Sequence, residues 1–192
     1  MSFTDWLAVV VGVLLAVAWY LSYSAARLDR LHTRVEGALS ALDAQLVRRA
    51  EAALELANSR VLDPASSMIL AGAASESLES QNERATEDLL DGATFGERES
   101  IESDLTTALD IALPAAVVEG IRADGGYAED ALQRVLEAGR RVNYARRFHN
   151  SAVADVRRVR SKPAVRLFRL AGHAALPSTI EFDDSLPSSV GD

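Results

Sequence analysis

The chain has 192 residues, 48% of them apolar, no cysteine and a net charge of −8. This is enough apolar material for the core of one domain with an appended segment, and it argues against wholesale disorder. Without cysteine there is no disulfide, thiolate zinc site, iron–sulfur cluster or cysteine nucleophile.

The N-terminal stretch Trp6–Ala26, WLAVVVGVLLAVAWYLSYSAA, contains no formal charge. As a helix it would be about 31 Å long, close to the thickness of a bilayer's hydrocarbon core. Trp6 lies at one end and Trp19, Tyr20 and Tyr23 lie toward the other, where amphipathic rings favour the headgroup region. A cleaved signal peptide is the competing reading, with SYSAA as a weak cleavage site. The basic n-region it needs is missing, since Asp5 is the only charge before the run. Arg27, Arg30 and Arg34 follow the segment and no Lys or Arg precedes it. The positive-inside rule therefore predicts an N-terminus outside the cell and the remaining chain in the cytoplasm.

Beyond Ala26, Leu28, Leu31, Val35, Leu39, Leu42, Leu46, Ala53 and Leu56 recur at three- and four-residue intervals. This spacing predicts one helix continuing from the bilayer to about Arg60. Asp63-Pro64 reads as a helix cap followed by proline in the first turn, opening a second helix that reaches toward Leu89 and Leu90. Asp91–Ser100, DGATFGERES, reads as a loop, and a third helix after it is kinked or ended by Pro114. Asp124-Gly125-Gly126 is a turn. A fourth helix then runs from about Tyr127 to Arg160, with Lys162-Pro163 as its stop. The Ser-, Asp- and Pro-rich stretch from Pro177 reads as a loose tail. Charge is divided along the chain: Glu76–Asp130 carries a net −12 and Arg134–Arg169 a net +9. Two such segments are expected to face each other across the fold or to form solvated helix faces.

On a helical wheel of the fourth helix, Val135, Ala138, Val142, Ala145, Ala152, Val153 and Val156 share one arc with His149 near its middle. Arg146 and Asn150 lie progressively further out, Phe148 lies at the opposite edge and Arg147 points away. His149 thus reads as a hydrogen-bonded core histidine or a pH-responsive core position, with no evident catalytic partner. On the first helix Gln45 and Arg49 fall on the seam with Leu42 and Leu46. If they pack opposite Arg146, His149 or Asn150, a polar layer results that could fix register between helices.

Metal binding is disfavoured by spacing, because His32, His149 and His173 are far apart and no Glu-x-x-His or His-x-x-x-His pair occurs. There is no P-loop and no Gly-x-Ser-x-Gly elbow. Stacking aromatics are scarce among the arginines of the fourth helix, so nucleic acid is not an expected partner. In Arg160–Leu176, the residues Arg166, Phe168 and Arg169 belong to a short basic amphipathic stretch. It reads either as a terminal helix packed on the bundle or as a surface for anionic lipid or a partner.

Two segments carry a family resemblance. ALDAQLVRRAE, Ala41–Glu51, is similar to the first signature of the LemA family, and RRVNYARRFHNSAVADV, Arg140–Val156, is similar to its second. Pro163 and Gly172 stand where that family has a proline and a glycine. His149 stands in place of the family's usual tyrosine, and Val156-Arg157 in place of a polar pair. The resemblance implies a bacterial protein with an N-terminal membrane anchor and a soluble helical bundle, and it implies no defined activity.

The expectation is therefore an all-α protein in which a transmembrane helix continues into an antiparallel bundle of about four long helices. Residues 1–5 would be extracytoplasmic, 6–26 transmembrane, 27–176 the bundle and 177–192 a flexible tail. No catalytic, cofactor or metal residues are expected. Function is expected to be that of a membrane-anchored, non-enzymatic interaction or scaffold protein. Its partners would be the bilayer, through Trp6–Ala26, and a second copy or a membrane protein. A lipid-surface or membrane-shaping protein, or an accessory subunit of a membrane enzyme, is the alternative.

Overall fold

The computed structural model describes residues 3–86, 96–168 and 175–190. Among the described residues the regular structure is all helical: α1 (Phe3–Asn58), α2 (Pro64–Thr86), α3 (Gly96–Ala112), α4 (Ala115–Asp124), α5 (Gly126–Arg160) and α6 (Pro163–Leu167). The chain divides into two compact units, one of Met1–Gly37 with Ser151–Ser178 and one of Ala38–Asn150 with Thr179–Asp192. Residues of α1 and α5 occur in both.

Helix boundaries follow from local chemistry. Proline-free α1 ends at Asn58, and Arg60 then takes a left-handed φ of 63°. Asp63 Oδ1 accepts hydrogen bonds from the backbone N–H of Ala65 (3.0 Å) and Ser66 (3.1 Å), so the first turn of α2 is capped. A side-chain hydrogen bond with Ser66, followed by these backbone bonds, holds the Asp63 carboxyl below its usual pKa. Pro114 separates α3 from α4 and caps the latter in an extended conformation. Gly125 and Gly126 have φ of 65° and 70°, a region closed to most side chains, and they form the turn into α5.

Two expectations need correction. Gly96–Ser100 is the first turn of α3 and not loop; Glu97 and Glu99 complement the positive end of the helix. The rest of the expected loop, and Leu89 and Leu90, lie outside the described residues. The second correction concerns the stretch after Pro177, which has neither helix nor strand. Ile180, Phe182 and Asp184 are nevertheless buried, and it packs in place instead of forming a loose tail.

In the first unit, α1 is long and apolar enough to cross a membrane. Phe3, Trp6, Leu7, Val9, Val13, Leu14, Leu15, Trp19 and Tyr23 are all exposed, so this part of α1 is apolar around its circumference. Further along, Leu28 and Val35 are buried, as are Val156, Val159 and Val165. Arg34 pairs with Asp155 at 3.5 Å. In the second unit, α1 to α5 contribute to one apolar core that includes Leu56, Leu70, Leu105, Leu113, Val118, Leu132 and Leu136. Each such fully buried side chain contributes about 1.5–3 kcal/mol relative to exposure. A neighbouring cluster joins Leu42 and Leu46 of α1, Val142 of α5, and Ile180 and Phe182.

Candidate functional site

Within the second unit, charged groups are carried into the core beside these clusters. Arg49 of α1 is 2% exposed and Glu102 of α3 is fully buried. Arg49 Nη2 donates to Glu102 Oε2 at 2.7 Å and to the Glu102 carbonyl at 2.9 Å, while Nη1 donates to Thr106 Oγ1 at 3.1 Å. Ser77 of α2 donates to Glu102 Oε1 at 2.8 Å. Arg98 lies 3.5 Å from the same oxygen, 3.4 Å from Asp43 Oδ1, and donates to Gln81 Oε1 at 2.6 Å. Two guanidiniums and two carboxylates thus neutralise one another where an unpaired charge would be costly.

The second set of polar contacts surrounds the C-terminal segment. Burial alternates along it: Ile180, Phe182 and Asp184 are buried while Glu181, Asp183 and Ser185 are exposed. This is the two-residue period of an extended chain lying on a surface. Its main chain is satisfied by helix side chains. Asn150 of α5 donates from Nδ2 to the Ile180 carbonyl and accepts the Ile180 N–H at Oδ1, both at 2.9 Å. On α3, Glu99 Oε1 accepts the Glu181 N–H (2.8 Å) and Ser103 Oγ accepts the Asp183 N–H (3.1 Å). Thr106 Oγ1 donates to the Asp183 carbonyl (2.6 Å), and Asp110 Oδ1 accepts the Ser188 N–H (2.8 Å). Glu99, Ser103, Thr106 and Asp110 stand three and four residues apart and so form one stripe of α3. The Ser188 backbone and hydroxyl bonds hold the Asp110 carboxyl below its ordinary pKa.

Side chains of the segment are gripped as well. Arg146 forms a fork with Asp184, Nε to Oδ2 at 2.8 Å and Nη2 to Oδ1 at 2.9 Å, and Nη1 reaches Glu181 at 3.0 Å. The bond to Asp184, offset in part by burial, raises the Arg146 pKa above its usual value. Both arginines approach the Phe182 ring, Arg49 Cζ at 5.8 Å and Arg146 Cζ at 5.6 Å from its centroid, within cation–π range. Beyond Asp184, Ser185 to Ser188 and the α5 residues Gly139, Arg140, Tyr144 and Arg147 border a groove of about 710 Å³.

The expected polar residues are thus drawn into two arrangements. Arg49 bonds to α3, whereas Arg146 and Asn150 bond to the C-terminal segment, and Phe182 joins the two sets. His149 is 3% exposed, as the wheel requires. Gln45 is half-buried, and its Oε1 has no hydrogen-bond partner among the described residues. Arg166 and Phe168 are exposed, and Arg169 lies outside the described residues. The basic segment also finds partners other than the acidic one. Arg134 pairs with Glu55 at 2.8 Å, and Arg146 with Glu181 and Asp184. Hydrogen bonds from Tyr127 and then Arg134 hold Glu55 below its usual pKa.

Sequence reasoning missed Glu102, Arg98, the α3 stripe and Phe182. The helical spacing of Glu99, Ser103, Thr106 and Asp110 was the available signal for the stripe. No group of three or more His, Asp or Glu among the described residues is arranged to hold a metal ion. Chemically, the site holds a peptide main chain and its carboxylates. Comparison with family models, with curated proteins and with solved structures yields no match.

Proposed function

We propose that the chain is a membrane-anchored, non-enzymatic interaction or scaffold protein with the organisation implied by its LemA-like motifs. In this reading α1 crosses the bilayer with its N-terminus outside, and a cytoplasmic helical bundle follows. The observation that carries the reading is the run of large apolar side chains exposed around α1 from Trp6 to Tyr23, which water would disfavour and lipid would solvate. Tyr23, Arg27, Arg30, Leu31 and Arg34 then line one surface of the same helix, placing the arginines where anionic headgroups of the inner leaflet would lie. The interaction role is supported by a site organised around peptide main chain.

Expression in a bacterial cell with a different tag at each end tests this. The chain should resist alkaline extraction from membranes; in spheroplasts, protease should remove the N-terminal tag and spare the C-terminal one. Recovery in the soluble fraction, or loss of the C-terminal tag, contradicts the reading.

A specific observation favours a second, lipid-surface reading of α6. Val165 is buried while Arg166, Leu167 and Phe168 are exposed side by side, the pattern of a basic amphipathic contact. Flotation of the chain with anionic and neutral vesicles, with and without Leu167→Ser and Phe168→Ser, tests it.

A further inference from the structure

The contacts around residues 180–188 are those by which a receptor holds a peptide. Asn150 pairs with both backbone groups of Ile180, and the α3 stripe bonds the main chain at Glu181, Asp183 and Ser188. Specificity comes from three places: apolar seats for Ile180 and Phe182, the Arg146 fork on Asp184, and the Arg49 and Arg146 guanidiniums within cation–π range of the Phe182 ring. Main-chain bonds supply affinity and alternate side chains supply selection, the division of labour seen in peptide recognition.

We propose that this cradle is an assembly site. It takes the segment Ile180-Glu181-Phe182-Asp183-Asp184 from its own chain, and exchanges it for the same segment of a second copy. The occupant fits by construction, since a second copy carries identical residues and the bonds run from helix side chains to the segment. Exchange of an identical element is a low-cost route to a dimer. Arg146 is the cation that meets Glu181 and Asp184 of the segment, while the carboxylates Glu99 and Asp110 of the stripe receive its main-chain N–H groups. The inference deepens the interaction reading above, but it does not depend on the topology of α1.

The natural absence of cysteine makes the test clean. One tagged copy of the full chain carries Ser103→Cys and a differently tagged copy carries Asp183→Cys; the two are reconstituted together and treated with a short bismaleimide. A mixed-tag dimer is expected in excess of either self-linked dimer. It should fall about ten-fold when Asn150→Ala or Arg146→Ala is added to the Ser103→Cys copy, the scale set by losing a charge-assisted contact. A synthetic peptide of residues 177–190 should compete the dimer away. A chain carrying both cysteines, which links internally, reports that the cradle is folded. Internal linkage without a mixed-tag dimer overturns the proposal, as does a mixed dimer indifferent to Asn150→Ala. Peptide binding without a mixed dimer also overturns it, and points to a foreign acidic partner. Membrane extraction would be unchanged in all of these, so failure here is distinguishable from failure of the anchoring reading.

Discussion

Asn150 holds Ile180 by both ends of its carboxamide, donating to the carbonyl and accepting the N–H, each at 2.9 Å across 30 residues of sequence. The pair does for the C-terminal segment what a neighbouring strand would do in a sheet. Asparagine is suited to it because its side-chain amide presents one donor and one acceptor side by side, like a peptide unit. Asn150→Asp keeps the acceptor and loses the donor, placing a carboxylate against the Ile180 carbonyl and beside Glu181. Asn150→Ala loses both bonds. We expect Asn150→Asp to be at least as damaging as alanine, each at about 1–3 kcal/mol. Faster cleavage within 177–190 by a nonspecific protease, with helix content unchanged by circular dichroism, is the measurement.

The buried Arg49–Glu102 pair should show strong coupling. Arg49→Met leaves Glu102 at zero exposure without its 2.7 Å partner, and the expected loss is about 3–5 kcal/mol. Arg49→Met with Glu102→Leu removes both charges and should lose less than the first substitution alone. Denaturant unfolding of the two variants in the same detergent checks the order. A double variant less stable than Arg49→Met would mean that the remaining contacts of Arg98, and not the pair, dominate the layer.

Gly139 is the close approach that seats Leu186. A Cβ built there would stand 2.9 Å from Leu186 Cδ2, so alanine must push the side chain aside. The clash meets the flexible end of a leucine, and Gly139→Ala should cost about 1 kcal/mol, with Gly139→Val costing more. Since the displaced residue belongs to the C-terminal segment, the effect should appear as increased cleavage near Leu186, and only weakly in global unfolding.

Acid should loosen the segment through Asp110. Its carboxyl is held below its ordinary pKa by the Ser188 N–H and hydroxyl, so the folded chain binds this proton less readily than the unfolded chain. That contribution is present above the unfolded value of about 3.9 and is lost as pH falls through the lower folded value. The Asp63 cap and the Glu55–Arg134 contact follow the same direction. Asp110→Asn should lower the melting temperature slightly at pH 7 and flatten its dependence between pH 5 and 3. A profile identical to that of the unmodified chain would remove Asp110 from the account.

What could be read in advance was local. The end of α1 near Arg60, the Asp63-Pro64 cap, the break at Pro114, the Gly125-Gly126 turn and the span of α5 are each set by a few adjacent residues. His149 lies inward because its helix repeats every 3.6 residues. The C-terminal segment could not be read this way. Ile180 and Phe182 are its only large apolar residues before Leu186, set among Ser, Asp and Pro, and that composition reads as tail. The residues that hold it sit 30 to 82 positions away, on α3 and α5. No local pattern announces that a polar stripe on one helix is matched to the backbone of a distant segment. Arg146 and Asn150 stand out in the sequence as polar residues beside an apolar face, and in the structure both bond to the C-terminal segment. Helical spacing offers them Gln45 and Arg49 of α1 as partners, because the composition after Pro177 reads as loose tail.

Amide hydrogen exchange at Ile180, Glu181, Asp183 and Ser188 in the full chain is the most direct test of the central claim, that helix side chains hold the C-terminal main chain. The account predicts that all four amides exchange more slowly than in the free peptide of residues 177–190, and that Asn150→Ala with Arg146→Ala brings Ile180 and Glu181 to the free-peptide rate while the helices stay protected. Free-peptide rates at these amides in the unmodified chain would contradict it.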